Sequence, residues 1–187
     1  LSSIIPDKIE NSDFIFENSY VKIRANRKIN AIKLAGLQIG PFEEGNEYEV
    51  YYWVAKELEK TGIARLSGEE LDNTEIFKIQ WKERVQTPRQ ICKLSDGFYP
   101  KLRRYLSELK IEASKKPEKV RDYEKVRQLA LDIVNLRLKK IISLASTQHQ
   151  TEQFLRNITN EERFIYERLY YLINTWKKQI LKDGGEE

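Results

Sequence analysis

One cysteine and one histidine among 33 Lys/Arg and 29 Asp/Glu in 187 residues leave no disulfide within the chain and no Cys/His metal site. The length suffices for one core or two small ones, no run nears the roughly 20 apolar residues of a bilayer span, and Leu1 to Pro6 is too short for a secretory segment; an intracellular, reducing location is expected. The net charge of +4 is uneven: residues 1–70 carry 9 Lys/Arg against 12 Asp/Glu (−3), and residues 71–187 carry 24 against 17 (+7), which permits contact with nucleic acid or an acidic partner from the second half, or reflects long exposed helices rich in both signs.

The first part reads as short strands and turns. Phe14, Phe16, Tyr20, Val21 and Ile23 are aromatic or β-branched and partly alternate with polar residues, a strand signal. Residues 29–35 form a second strand candidate stopped by Gly36. Gly40-Pro41 and Glu44-Gly45 mark two turns, and Glu47 to Tyr51 reads as a strand after them. Trp53, Val54, Ala55 and Leu58 make one face of a short helix, with Gly62 as its C-terminal stop. Phe42 and Trp53 are expected in the core of this small domain, and Gly40 and Gly45 in its tight turns.

Residues 71–86 are ambiguous. Phe77, Ile79, Trp81 and Val85 alternate with Lys78, Gln80, Lys82 and Arg84 as in a strand, yet Leu71 to Val85 has no glycine or proline and Glu69-Glu70 would suit a helix first turn. From residue 97 the period becomes helical. Leu102, Tyr105, Leu106 and Leu109 follow Asp96, a possible N-cap, and Pro100 in the first turn. After the break at Lys115-Lys116-Pro117 a long helix is expected over 119–145, with Tyr123, Val126, Ala130, Ile133, Arg137, Ile141 and Leu144 on one line. Arg137 within that line is either a buried ion pair or a snorkelling side chain. Residues 146–151 form a polar loop or a frayed turn. Thr159-Asn160-Glu161-Glu162 has the pattern of a capping box and opens a last helix, whose core line reads Ile165, Leu169, Leu172, Trp176 and Ile180. Residues 182–187 read as a terminator and polar tail.

That last helix is apolar on more than one side, since Phe164, Tyr166, Tyr170, Tyr171 and Ile173 flank its core line. A small bundle cannot bury every side of its terminal helix, so the extra aromatics imply a surface covered by another chain, or else tyrosines that lean over the bundle with their hydroxyls in water. Tyr166, Tyr170, Ile173 and Trp176 are the expected anchors, in a mostly apolar interface above roughly 1,200 Å², with Arg137 and Lys140 as further candidates. Catalytic signals are missing. His149 stands in a Gln/Thr/Ser loop, Cys92 has no partner base, there is neither a G-x-G-x-x-G nor a G-x-x-x-x-G-K-[ST] pattern, and the Glu pairs at 43–44, 69–70 and 161–162 suit turns and helix starts. Neither enzymatic activity nor a cofactor or metal is expected.

Gly40-Pro41-Phe42 with Gly45, then Trp53 to Leu58 and Gly62-Ile63-Ala64, resemble the small domain of GINS subunits, the tetrameric factor of the replicative helicase. Gly97 to Leu102 resembles the family's aromatic-rich helix start, Asp132 to Arg137 with Lys140 its long-helix signature, and Asn160-Glu161-Glu162 the opening of its last helix. The likeness runs from about Val21 to Leu181. Where relatives often have proline before the tryptophan, this chain has Tyr51-Tyr52. The resemblance implies an α+β chain in three parts: a small, mostly-β domain with one short helix over residues 1–65, a partly helical connection over 66–97 and a larger all-α bundle over 98–187. In relatives the segment matching Leu71 to Val85 is helical, which favours a helix here. The order of domains is that of the second and third Psf subunits and of the single archaeal subunit similar to both. It further implies pairing with a GINS subunit of opposite domain order, in an archaeal 2:2 heterotetramer or a eukaryotic tetramer of four different chains, and binding of that assembly to the MCM helicase and a Cdc45/RecJ-like protein in DNA replication. The location would be cytoplasmic in an archaeon and nuclear in a eukaryote. The alternative is a nucleic-acid-binding module using Lys101, Arg103, Arg104, Lys110, Lys115 and Lys116, diluted by Glu108, Glu112 and Glu118. DNA contact on that reading would be weak.

Overall fold

The computed structural model describes residues 4–34, 36–68, 71–147 and 152–181. His149 and the tail at 182–187 lie outside them. The chain divides into two units, residues 1–70 and 71–187.

The small unit opens with a helix, not a strand. Helix α1 spans Ile4–Glu17 with Asp7 in its first turn, where a negative charge suits the helix dipole. Phe14 and Phe16, expected in a strand, are therefore helical. Alternation over so few residues does not separate the two periods, and Phe16 is instead buried against Tyr52 of α2 (Tyr52–Lys60), with ring centroids 4.5 Å apart.

Four strands follow: β1 (Tyr20–Ala25), β2 (Ile32–Leu34), β3 (Leu37–Ile39) and β4 (Glu47–Tyr51). In the β1/β4 ladder Ile23 faces Tyr48, in the β2/β3 ladder Ile32 faces Ile39, and an isolated bridge joins Ile29 to Phe42. Partner numbers add to the same total throughout, so this is one long antiparallel hairpin bent in the middle. The bend carries a Lys28–Glu43 ion pair at 2.8 Å, and Gly45 at φ +82°. Gly40 is fixed by space as well as by φ, for a Cβ there would stand 3.3 Å from the Phe42 nitrogen.

Strand β5 (Ala64–Leu66) joins the other side of β1, giving the order β4-β1-β5. Between β4 and β5, α2 closes with a Schellman motif: Gly62 N donates to Glu59 O and Ile63 N to Leu58 O, both at 2.9 Å, with Gly62 left-handed at φ +68°. Ile23, Phe42, Val50, Val54, Ala55 and Leu58 form the core. Trp53, expected there, packs against this core while half-buried, and the helix turns Tyr52, Val54, Ala55 and Leu58 fully inward.

In the second unit α3 (Asn73–Val85) resolves the ambiguous segment as helix, with the Asp72 carboxylate accepting from Glu75 N at 2.7 Å as its N-cap. The segment is not a connector. Leu71, Ile76, Ile79 and Leu94 share a core with α4 (Phe98–Lys115) and α5 (Val120–Ala145). Glycine 97, left-handed at φ +66°, occupies the N-cap position of α4 in place of Asp96. A 3-10 turn over Pro117–Lys119 leads into α5, whose 26 residues span about 39 Å. Short α6 (Glu152–Asn157) and long α7 (Asn160–Ile180) complete the unit. Helix α7 starts with the capping box read in the sequence: Thr159 N donates to Glu162 Oε2 at 2.9 Å, and Glu162 N to Thr159 Oγ1 at 3.3 Å.

Along α5 the interior changes character. Val126, Ala130 and Ile133 face the α3/α4 core, while Ile141, Leu144 and Ala145 face a second cluster with Ile91, Phe154, Ile158 and Tyr166. Between them lie Arg137 and Lys140.

Candidate assembly interface

Two cations inside an apolar line require buried anions close by. Glu83 of α3 and Glu162 of α7 supply them. Arg137, fully buried, donates from Nε to Glu162 Oε1 at 2.5 Å, from Nη2 to Glu162 Oε2 at 2.7 Å, and from Nη1 to Glu83 Oε1. Its remaining bonds go to the carbonyls of Cys92 at 2.9 Å and Asn157 at 3.3 Å. Lys140 Nζ donates to Glu83 Oε2 at 2.5 Å and to the Glu83 carbonyl at 2.9 Å. Tyr99 of α4 adds a hydroxyl to Glu162 Oε1 at 2.6 Å. The network thus ties α3, α4, α5 and α7 together, along with the loop around residue 92 and the end of α6 at Asn157.

Burial opposes the charge on Arg137, but the hydrogen bonds and charge of Glu162 outweigh it and hold the guanidinium above its ordinary pKa. Burial, reinforced by the Glu162 charge, pushes the Tyr99 phenol well up. Burial and then Glu83 likewise raise the Cys92 thiol, which donates to Gln86 Oε1 at 3.2 Å. A raised thiol pKa is the reverse of what activates a nucleophile.

Of the two readings of Arg137 the structure holds the buried ion pair, so Arg137 and Lys140, also named as interface candidates, are spent inside the unit. Tyr166 is buried too, with its ring 5.9 Å from that of Tyr170. Tyr170 and Ile173 are half-buried against the same cluster. The expected core line of α7 holds only over its first half. Leu169 packs inward with Glu162, Tyr166, Tyr170 and Ile173, and the line then turns outward at Leu172 (64% exposed), Trp176 (58%) and Ile180 (63%). The reason lies in Glu162: its pairing with Arg137 fixes the rotation of α7 about its axis. Of the expected anchors only Trp176 is open to a partner.

Two more stripes lie open. On α5, Leu131, Val134, Leu138 and Ile142 recur three and four apart and are all partly exposed. On α3, Phe77, Trp81 and Val85 recur every four residues, Trp81 at 56% exposure; their strand-like alternation was an accident of this spacing. Glu83 was the functional residue hardest to find in sequence. Its signals were the likeness of the segment ending at Glu83 to that of relatives, which gives it no role, and the demand of Arg137 and Lys140, on an apolar line, for buried carboxylates.

In the small unit, Gly40, Pro41 and Phe42 form the returning limb of the hairpin, Gly45 its bend, Leu58 part of the core and Gly62 the end of α2. On α4 the basic residues do not form an open row. Lys101, Arg103 and Arg104 are half-buried, the two arginines engaged within the chain, while Lys110, Lys115 and Lys116 are exposed. Among the described residues, no group of three His, Cys, Asp or Glu is placed to hold a metal ion, and no helix is long and apolar enough to cross a membrane.

Comparison with known families agrees with this architecture. The profile of the GINS complex protein helical bundle domain matches residues 63–181, and that of the PSF2 N-terminal domain matches residues 8–67. No individual curated protein matches the chain. The two matches follow the structure's own order, with the strand-rich unit ahead of the bundle, and the first alone covers more than half of the sequence. The chain belongs to the GINS complex protein family and is a GINS subunit of DNA replication, of the kind in which the strand-rich domain precedes the helical one.

Proposed function

We propose that this chain is a non-catalytic assembly subunit. Its helical unit pairs with a GINS subunit of opposite domain order in a 2:2 heterotetramer, and that assembly bridges the MCM helicase to a Cdc45/RecJ-like protein. The observation that carries the reading is the outward apolar side of α7 at Leu172, Trp176 and Ile180. Exposed together with the α5 and α3 stripes, it supplies far more apolar surface than an isolated domain keeps in water. Aromatic and aliphatic anchors of this type suit the centre of an obligate interface.

The contribution to unwinding is pre-organisation. A rigid bridge raises the effective concentration of the partners and favours the active conformation of the helicase. ATP hydrolysis belongs to MCM, since this chain has no phosphate-binding loop sequence. On this reading the protein works in the cytoplasm if the cell is archaeal and in the nucleus if it is eukaryotic.

The test is reconstitution. The chain co-expressed with its partner subunit should give a mass equal to two copies of each and raise DNA unwinding by the cognate MCM, while neither alone hydrolyses ATP. A stable monomer that binds no GINS partner, or equal stimulation by an assembly lacking this chain, would refute the proposal. Salt-sensitive binding of single-stranded DNA by the isolated chain would favour the nucleic-acid reading instead.

A further inference from the structure

The bent hairpin leaves a cleft of about 340 Å³ in the small unit. One wall is β3 with Leu37 and Ile39, the other is β4 with Glu49 and Tyr51, and Phe42 and Val54 lie between them. Among the described residues, β4 pairs with β1 on one side and with no strand on the other. Ala25 N donates to Asn46 O and Tyr52 N to Ser19 O. The alternation of an antiparallel ladder therefore points the backbone N–H and C=O groups of Glu47, Glu49 and Tyr51 toward the open edge.

The two faces of this edge differ. Side chains alternate along β4, Val50 buried and Tyr48 half-buried on the inner face, Glu47 and Glu49 exposed on the outer one. Across the outer face Arg24 and Lys22 on β1 stand opposite Glu47 and Glu49 on β4, so β4 carries the anionic side of this ladder, while β5 places Arg65 opposite Arg24. Cations on a strand added beyond β4 would stand opposite the exposed Glu47 and Glu49, and opposite charges directly across a ladder attract. Charged residues on an open edge discourage unspecific pairing, and here they are of one sign. Inner-face side chains of such a strand would meet Ile39, Phe42, Val50 and Val54.

We propose that this cleft is a strand-docking site: an extended segment of a partner protein, apolar and basic at alternate positions, adds to the free edge of β4 and seats its apolar side chains against β3. Main-chain hydrogen bonds supply affinity and the alternate side chains supply selectivity, as in other modes of strand addition. The inference rests on the small unit alone, and its test contains no helicase, so it stands or falls separately from the bridging role.

The probe is a fluorescein-labelled peptide of about eight residues alternating valine and lysine, titrated by anisotropy into the full chain as purified with its native assembly. Saturable binding is expected, with amide-exchange protection appearing at Glu49 and Tyr51. A scrambled peptide of the same composition should bind about tenfold more weakly, and the double change Glu47→Lys with Glu49→Lys should shift preference to a valine–glutamate peptide. Glu49→Pro removes one edge N–H without touching the β1 ladder, and should weaken binding while circular dichroism stays unchanged. No saturable binding, binding without protection at Glu49 and Tyr51, or equal binding of the scrambled peptide would each overturn the proposal. The exchange measurement on the unaltered chain decides the matter even if a variant fails to fold.

Discussion

Arg137 and Glu162 face each other as a fork, with Nε on Oε1 at 2.5 Å and Nη2 on Oε2 at 2.7 Å. Both side chains are buried, and 25 residues separate them in the chain. The same carboxylate closes the capping box of α7. One glutamate therefore sets both where α7 begins and how it is rotated.

Arg137→Met should destabilise the helical unit by about 3–5 kcal/mol, because it strands Glu162 and part of Glu83 as buried charges without their main partner. Urea unfolding followed by circular dichroism measures the loss. A change below about 1 kcal/mol would mean that water or Lys140 compensates. Combining Arg137→Met with Glu162→Gln should cost less than the sum of the two single changes, as residues in one network are coupled.

The network also sets an alkaline limit. A phenol whose pKa is raised in the folded state keeps its proton where the unfolded chain has lost it. The stability it contributes is then complete below the ordinary value of 10.0 and declines as pH rises above it. Melting temperature should thus fall between about pH 10 and 11. Tyr99→Phe should lower stability at pH 8, through the lost bond to Glu162, and flatten the alkaline decline. An unchanged slope in the variant would assign that decline to other groups.

For the outward face of α7, Leu172→Asp with Trp176→Asp should release the chain from its assembly while the helical content and melting of the separated subunit stay near those of the parent. The inward pair Tyr170→Asp with Ile173→Asp should instead unfold the helical unit, by placing charge against the Ile141–Phe154 cluster. Mass measurement and circular dichroism on both double variants separate the outcomes. Loss of assembly by the inward pair with folding intact would return the faces to the opposite assignment.

Glycine positions of the hairpin should differ in tolerance. Gly36 and Gly40 both have positive φ, +88° and +82°, but only at Gly40 does a Cβ meet a neighbour, the Phe42 nitrogen at 3.3 Å. Gly36→Ala should cost about 1 kcal/mol from conformation alone, and Gly40→Ala about 1–3 kcal/mol. Thermal melts of the two variants give the comparison. Equal costs would show that the Phe42 backbone yields freely.

Local chemistry was legible in the sequence. The capping box at Thr159 and Glu162, the stop at Gly62, the turns at Gly40 and Gly45 and the long helix through Arg137 all depend on residues close in the chain, where hydrogen-bond and φ requirements act directly. So did the presence of two apolar sides on α7, which follows from helical period alone. Which side turned inward did not, because both are aromatic and aliphatic and periodicity treats them alike. That choice was made by Glu162 meeting Arg137, as Glu83 meeting Arg137 and Lys140 made α3 a member of the bundle. Helicity at α1 likewise came with Phe16 finding Tyr52, 36 positions along. Sequence spacing fixed which residues share a face; the buried pairing of distant charges and rings decided which face the core would take, since an unpaired buried charge costs more than either apolar face can return.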